Sequence, residues 1–300
     1  MSFILLLVLP LLYFTAIVYI QIGSTYRIYP KHQIQSRRNR IVKGLGILFP
    51  LAWTVFMVLN DFAYPVFTVG LWLISLFAFA DDVLSINRYL QMAIHLVGLT
   101  SIFLELKMLN MSPLQLSLAY LFGFLVLQSI QTLDGANGMV GSMAISIILS
   151  FVLMDPNSWQ VSATNPFLYM IFGLLVFAYF NFRAKAVAFG GTIGRTSMGL
   201  ILAFFLFQAM IGRTNFQDFS EPEQSSQLLH PQYILFFSIM LLEFFYVLFK
   251  RSSSKKDPFL VEGEQYFHVL KTKMGLPPLT ISFIYAILQF GLNVLLVILN

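Results

Sequence analysis

Residues Val66–Asp82 read VFTVGLWLISLFAFADD, an apolar run that ends in two adjacent aspartates. An apolar stretch of this kind, bounded by Pro65 and by charge, is typical of a membrane-spanning helix. Acidic side chains at the edge of a span are costly and are seldom without function. The stretch therefore predicts a membrane helix, and it marks Asp81 and Asp82 as candidate functional residues.

The rest of the chain has the same character. Of its 300 residues, 58% are hydrophobic and 10% are charged, whereas about a quarter of the residues in a soluble domain are charged. This composition excludes a soluble domain and predicts an all-α polytopic membrane protein, with one transmembrane domain over residues 1–300. The chain has no cysteine, which excludes disulfides and thiolate metal sites. The first apolar segment lacks the flanks of a cleavable signal peptide, so we expect it to be a span.

Apolar runs bounded by Pro, Gly, Asn and charged residues predict about ten spans. They cover Phe3–Ile22, Gly44–Asn60, Tyr64–Ala80, Tyr89–Leu106, Leu114–Ile130, Met139–Met154, Phe167–Phe182, Thr196–Ile211, Tyr233–Phe249 and Leu279–Leu299. The odd-numbered loops then hold sixteen of the eighteen Lys and Arg residues, and the even-numbered loops hold only Lys107 and Arg213. Because basic loops stay in the cytoplasm, we expect the odd loops to be cytoplasmic and both termini to lie outside the inner (plasma) membrane.

Three acids lie at the cytoplasmic boundary in this topology. Asp81 and Asp82 follow the third span, and Asp134 begins the Gly-rich turn Asp134–Gly138 after the fifth. Adjacent carboxylates repel each other, and a cation that prefers oxygen ligands relieves the repulsion. The acids therefore predict a Mg²⁺ or Mn²⁺ site. Helix capping would explain one of the adjacent aspartates, but not the pair together with Asp134.

Five stretches resemble the motifs of one known family in order and spacing. They are Lys43–Pro50 (KGLGILFP), Phe79–Asp82 (FADD) with Ser85, Arg88 and Gln91 downstream, Asp134–Met139 (DGANGM), Asn181–Lys185 (NFRAK) and Phe189–Gly194 (FGGTIG). The family is that of the polyprenyl-phosphate N-acetylhexosamine-1-phosphate transferases of glycosyltransferase family 4. The resemblance runs from the first loop to the last helix.

The resemblance implies a bundle of about ten transmembrane helices with its site in cytoplasmic loops. It implies transfer of an N-acetylhexosamine-1-phosphate from a UDP-sugar to undecaprenyl phosphate, with Mg²⁺ or Mn²⁺ and with release of UMP, in cell-envelope polysaccharide or peptidoglycan biosynthesis. The expected partners are the lipid phosphate, the UDP-sugar and the membrane, and not nucleic acid; a homodimer stays open.

The same resemblance gives the candidate residues their roles. Asp81, Asp82 and Asp134 would be catalytic, with Asp81 and Asp82 also holding the metal. The turn with Gly135 and Asn137 would direct backbone N–H groups at a phosphate or at uracil. Positive charge for the diphosphate would come from Lys43, Arg88, Arg183, Lys185 and Arg195.

Several positions depart from the family pattern. Thr192 stands where the family has a metal-binding acid, so it would be a neutral, poorer metal contact, and Arg195 stands where the family has a serine. Gln128 and Gln131 replace two asparagines and are expected to contact substrate. In the ninth loop Gln265 falls at a typical histidine position, which leaves His268 as the histidine expected to bind substrate.

Two functions are compatible with this pattern. One is an active phosphosugar transferase, favoured by the aspartate pair, Asp134-Gly135 and the basic loops. The alternative is a catalytically impaired relative that binds lipid phosphate or nucleotide sugar as a regulatory or scaffold protein, favoured by Thr192 and the glutamines. A small-solute transporter is disfavoured, because the polar residues gather at one surface and no repeat halves are visible.

Overall fold

The structure, a computed structural model, describes residues 2–29, 41–84, 86–133, 137–155, 162–183, 185–212, 215–216, 230–254 and 265–299. Over these ranges the chain forms α-helices and one very small sheet. The helices are α1 (Ser2–Thr25), α2 (Leu48–Leu59), α3 (Pro65–Leu84), α4 (Arg88–Glu105), α5 (Pro113–Thr132), α6 (Met139–Met154), α7 (Pro166–Asn181), α8 (Gly191–Met210), α9 (Ser238–Ser253), α10 (Tyr266–Met274) and α11 (Pro278–Leu299). Short 3₁₀ turns, Leu45–Ile47 and Pro231–Phe237, lead into α2 and α9.

Every predicted span has a helix at its place, and the chain is a predominantly helical membrane protein. Six helical segments in the described ranges are long and apolar enough to cross a membrane: Leu5–Thr25, Pro65–Leu84, Pro113–Thr132, Gly191–Met210, Pro231–Ser253 and Pro278–Leu299. Three further apolar helices, Leu45–Leu59, Met139–Met154 and Pro166–Asn181, are shorter. The number of ten crossings therefore stays a prediction.

Three local features differ from the predicted boundaries. Helix α3 continues through Asp81 and Asp82 to Leu84, so the aspartates lie in its last turns and not in a loop. Helix α8 begins at Gly191, earlier than the predicted Thr196. The ninth loop contains the helix α10, which the apolar runs did not predict because it carries Lys271 and Lys273.

Local sequence explains where several helices begin. The side chains of Asn87, Ser112 and Asn165 accept hydrogen bonds from the first-turn N–H groups of α4, α5 and α7. Pro113 and Pro166 follow two of these caps, at positions where the missing N–H has no helical partner to lose. These starts are therefore set by residues adjacent in sequence.

Helix α8 is the central element of the bundle. Its most apolar window is 94% buried inside the protein, against 22–44% for the other helices long enough to span. It packs against α2, α3, α4, α5 and α6. Residues on its first turn are consequently surrounded by segments from distant parts of the chain.

The odd-numbered loops meet at one end of the bundle. Lys43 of the first loop contacts Asp82 at the end of α3. The side chain of Asn137, after α5, donates to the carbonyl of Arg183 in the seventh loop, and Ser282 at the start of α11 donates to the carbonyl of Asn137. We call this end, with Lys43, Asp82, Asn137, Asn181 and Thr192, the polar end.

The even-numbered connections meet at the opposite end. Asn60, after α2, donates to the carbonyl of Ala163 before α7 at 2.8 Å. Glu105 at the end of α4 accepts the N–H of Phe67 at the start of α3 at 2.7 Å. Consecutive helices from α1 to α9 therefore alternate in direction, which is the arrangement that the charge count assumed.

A parallel strand pair joins the first and seventh loops at the polar end. Strand β1 (Val42–Lys43) pairs with β2 (Ala188–Phe189), with Val42 opposite Ala188 and Lys43 opposite Phe189. Just beyond the pair, the N–H of Gly46 donates to the carbonyl of Gly190 at 3.0 Å. A Cβ on Gly46 would collide with the backbone of Gly194, so the close approach of these loops requires glycine.

The predicted orientation in the membrane can be tested directly by cysteine labelling. We expect a cysteine at Ser253, exposed at the end of α9, to react with a membrane-impermeant maleimide only after the cytoplasmic side is opened. A cysteine at Asp61, exposed at the opposite end, should react in intact cells. The chain has no cysteine of its own to interfere. Labelling of the Ser253 variant in intact cells would contradict the assigned orientation.

Candidate functional site

Asp82 is a buried carboxylate held by three donors. Its Oδ1 lies 2.7 Å from Nζ of Lys43 and accepts the backbone N–H of Thr192 at 2.8 Å. Its Oδ2 accepts the N–H of Ile193 at 3.3 Å. The Asp82 side chain is 0% exposed, whereas that of Lys43 keeps 24%. One side chain thus ties together the first loop, the end of α3 and the start of α8.

This contact explains why α8 begins at Gly191. No residue next to the helix caps it with a side chain, and the carboxylate of Asp82 takes that role from another helix. The positive end of the α8 dipole favours a carboxylate, whereas the C-terminal turn of α3 disfavours one. Gly191, with φ of 74°, leaves the necessary space, because a Cβ there would collide with Oδ2 of Asp82.

The backbone of Lys43 is fixed separately. The hydroxyl of Tyr19 on α1 donates to the carbonyl of Lys43 at 2.8 Å. Gly44, with φ of 99°, has no room for a Cβ beside that hydroxyl. The β1–β2 pairing holds the same residue from the other side. The backbone that carries the Lys43 ammonium is therefore held by hydrogen bonds on both sides.

Asp81 has different surroundings from its neighbour. Its Oδ1 accepts the N–H of Ile86 at 2.6 Å. The residue lines a narrow cleft formed by α3, α4, α5 and α8, and Asp82 does not. The cleft has an apolar wall of Ile74, Phe77, Ala78, Ile86 and Ile94, and polar residues Asp81, Gln91, His95, Gln131, Thr192 and Thr196. Of the two aspartates, Asp81 is the one placed to meet a ligand in this cleft.

The two glutamines that were predicted to contact substrate lie at different depths: Gln131 lines the cleft, and Gln128 is buried behind it. Gln131 lines the cleft, and its Nε2 donates to Oγ1 of Thr196 at 2.9 Å. Gln128 is buried, with its Nε2 3.3 Å from Nδ1 of His95. Gln128 therefore reaches the cleft only through His95, so its predicted substrate contact would be indirect.

Arg195 and Thr192 form a pair on the first turn of α8. Nη2 of Arg195 donates to Oγ1 of Thr192 at 3.2 Å, and Arg195 is half-buried. The backbone N–H of Thr192 meanwhile donates to Oδ1 of Asp82, which also contacts Lys43. The Arg195 guanidinium thus contacts residue 192 directly, and the Lys43 ammonium is linked to it through Asp82, at the position of the expected metal-binding acid.

Hydrogen bonds hold the end of the turn after α5 against the seventh loop. The N–H of Gly138 donates to Oδ1 of Asn181 at 2.8 Å, and Nδ2 of Asn181 donates to the carbonyl of Ala188 at 2.9 Å. Asn137 donates to the carbonyl of Arg183 at 3.0 Å, so its amide contacts protein in this arrangement. This network places the end of the Gly-rich turn beside β2 and the start of α8.

The remaining basic candidates lie further out. Arg183 and Lys185 are exposed, and the Arg183 guanidinium lies 4.5 Å from the ring centre of Tyr179. Arg88 begins α4, is half-buried and does not line the cleft. These residues share the polar end with Asp82. Asp134 and Gly135 lie outside the described residues.

The ninth loop is attached to the bundle through Glu243 on α9. The carboxylate accepts the N–H of Tyr266 at the start of α10 and the hydroxyl of Tyr285 on α11, the latter at 2.8 Å. Gln265 is buried beside this junction, and His268 is half-buried on α10. Partial burial lowers the pKa of His268, and the charges of Lys271 and Lys250 lower it further.

The side chains described at the polar end do not fit a divalent cation as they are arranged. A cation at Asp82 would have to displace the Lys43 ammonium, and one at Thr192 would meet the Arg195 guanidinium. Within the described ranges, no group of three or more His, Asp or Glu residues could hold a metal ion. The contacts to Asp82 serve instead to build the site.

Three residues at the site were not found from the sequence. Tyr19 lies in an apolar helix without any motif, and His95 and Thr196 look like ordinary span residues. Only packing reveals them, because their partners are far away along the chain.

Comparisons with models of protein families and with curated proteins find no match for this chain. Its function is therefore inferred from its residues and their geometry.

Proposed function

We propose that the protein transfers an N-acetylhexosamine-1-phosphate from a UDP-sugar to undecaprenyl phosphate at the cytoplasmic face of the plasma membrane, releasing UMP. One observation carries this proposal. Segments that are far apart in sequence and that match the motifs meet at the polar end: Lys43–Gly46, Asp81–Asp82, Asn137–Gly138, Asn181–Arg183 and Gly190–Arg195. A polar site at one end of an apolar bundle suits a reaction between a membrane lipid and a soluble nucleotide.

The reaction brings two anions together. An oxygen of the lipid phosphate attacks the β-phosphorus of the UDP-sugar, and the bond from that phosphorus to the bridging oxygen breaks. The bridging oxygen leaves with the α-phosphate as UMP. Phosphoryl transfer of this kind needs charge stabilisation and positioning more than covalent help from the protein.

The residues of the polar end can supply both needs. Lys43 and Arg195 provide positive charge beside the start of α8, and both are held in place by the contacts to Asp82 and Thr192. Asp81 in the cleft accepts a proton from a lipid phosphate that arrives protonated. The apolar wall of the cleft, with Phe77 and Ile94, suits the first isoprene units of the lipid.

A second candidate function is binding without turnover, as a regulatory or scaffold protein for the lipid or the nucleotide sugar. A specific observation favours it. Asp82, an expected catalytic residue, pairs with Lys43, and the hydroxyl of Thr192, an expected metal contact, accepts a hydrogen bond from Arg195, so both positions already contact protein. The two candidates differ in a single measurable property, the release of UMP.

Release of UMP is expected when the purified protein is given undecaprenyl phosphate, Mg²⁺ and a UDP-N-acetylhexosamine chosen from a panel. Undecaprenol, which lacks the phosphate, should give none. Asp81→Asn should slow release by about a hundredfold or more, because it removes the acceptor that faces the cleft. Binding of the UDP-sugar without UMP would favour the scaffold function. Neither binding nor release would contradict both.

A further inference from the structure

The strongest disagreement between the geometry and the resemblance lies at residue 192. The resemblance implies a metal-binding acid, and the chain has Thr192 with Arg195 donating to its hydroxyl at 3.2 Å. The charge of Asp82 is balanced by Lys43 and by the N–H groups that begin α8. Among the described residues, the side chain that contacts Thr192 is the Arg195 guanidinium, which attracts an anion and repels a cation.

We propose that Lys43 and Arg195 take the place of a bound divalent cation at this site, so that a phosphate or diphosphate group binds there without a resident metal. The inference rests on the proposed function for the class of its ligand. Both side chains are suited to the task. A guanidinium is a planar fork of N–H donors that matches phosphate oxygens, and an ammonium is a compact point charge.

The two cations are held by protein contacts and do not depend on a metal for their placement. The backbone of Lys43 is fixed by β1–β2 pairing and by Tyr19, and its ammonium by Asp82. Arg195 lies on the first turn of the most buried helix, with Thr192 as its partner. A site organised in this way is ready for an anion before any cation binds.

Electron paramagnetic resonance of Mn²⁺ tests the metal side of this inference without any turnover. In the absence of nucleotide, the wild-type protein should leave the signal of equimolar free Mn²⁺ undiminished. The variant Thr192→Asp/Arg195→Ser should reduce that signal, because it supplies a carboxylate and removes the guanidinium. Stoichiometric Mn²⁺ binding by the wild type that is lost in Asp82→Asn would overturn the inference.

Calorimetric titration with UDP tests whether the site binds a diphosphate without a metal. This measurement does not require the double variant to fold. The affinity of the wild type should be the same in EDTA as in Mg²⁺ to within about twofold, and Arg195→Gln should weaken it by about tenfold or more. Lys273→Gln, which removes an exposed charge of α10, should leave it unchanged. UDP binding that requires Mg²⁺, or no UDP binding in either buffer, would overturn the inference. UMP release in the transferase assay decides the proposed function separately.

Discussion

Replacing Asp82 by Asn is expected to lower the free energy of unfolding by about 2–4 kcal/mol and to abolish UMP release. The carboxylate is buried and binds the Lys43 ammonium and two N–H groups in the first turn of α8, those of Thr192 and Ile193. An amide has one acceptor oxygen, and its own N–H₂ group would face other donors. Thermal unfolding in detergent, followed by circular dichroism, measures the change.

The neighbouring aspartate supplies the matched control. Asp81→Asn removes the same charge from the same turn of α3, but Asp81 accepts one backbone N–H among the described residues and lines the cleft. Asp81→Asn should therefore reduce activity strongly and lower the free energy of unfolding only slightly. In a double-mutant cycle, Lys43→Gln combined with Asp82→Asn should cost less stability than the sum of the two single changes. An Asp82→Asn protein that unfolds at the wild-type temperature would show that the carboxylate does not hold the site together.

Replacing Glu243 by Ala is expected to release α10 from the bundle and to speed tryptic cleavage after Lys271 or Lys273 by about tenfold or more. The substitution leaves the N–H of Tyr266 and the hydroxyl of Tyr285 without their acceptor in a buried junction. Each such loss costs about 1–3 kcal/mol, which directly favours local opening. The cleavage rate in detergent under native conditions is the measurement.

Two further variants of α9 make this test specific. Glu243→Gln keeps one acceptor oxygen and should show an intermediate cleavage rate. Leu242→Ala shortens a side chain that is 64% exposed and should leave the rate unchanged. If Glu243→Ala is cleaved no faster than the wild type, Glu243 does not anchor the ninth loop, and a role for its carboxylate in the site becomes the better explanation.

The two adjacent acids, Asp81 and Asp82, are expected to have different roles. Asp82 is a positioning residue, since it acts through Lys43 and the first turn of α8. Asp81 lines the cleft and is the candidate catalytic base. A charge-based prediction treats the pair as one metal site, because it considers only that the two charges are close together. The structure separates them by what each side chain contacts.

The positions of the helices could be predicted because they depend on local sequence. The span Met139–Met154 was predicted from its apolar run with the same ends as helix α6. The caps Asn87, Ser112 and Asn165 act on N–H groups within a few residues of themselves. The start of α8 was predicted too late, since Gly190-Gly191 reads as a turn and the capping side chain comes from α3.

The sequence by itself determined that the chain is a bundle of apolar helices, that its basic residues gather in alternate loops, and that Asp81 and Asp82 mark the place where chemistry is expected. Only the tertiary structure decided which of the two lines the cleft and which one caps α8. Successive residues of a helix point about 100° apart, so neighbours in sequence meet different partners. Those partners are set by packing: the N–H that binds Asp82 belongs to Thr192, 110 residues further along the chain.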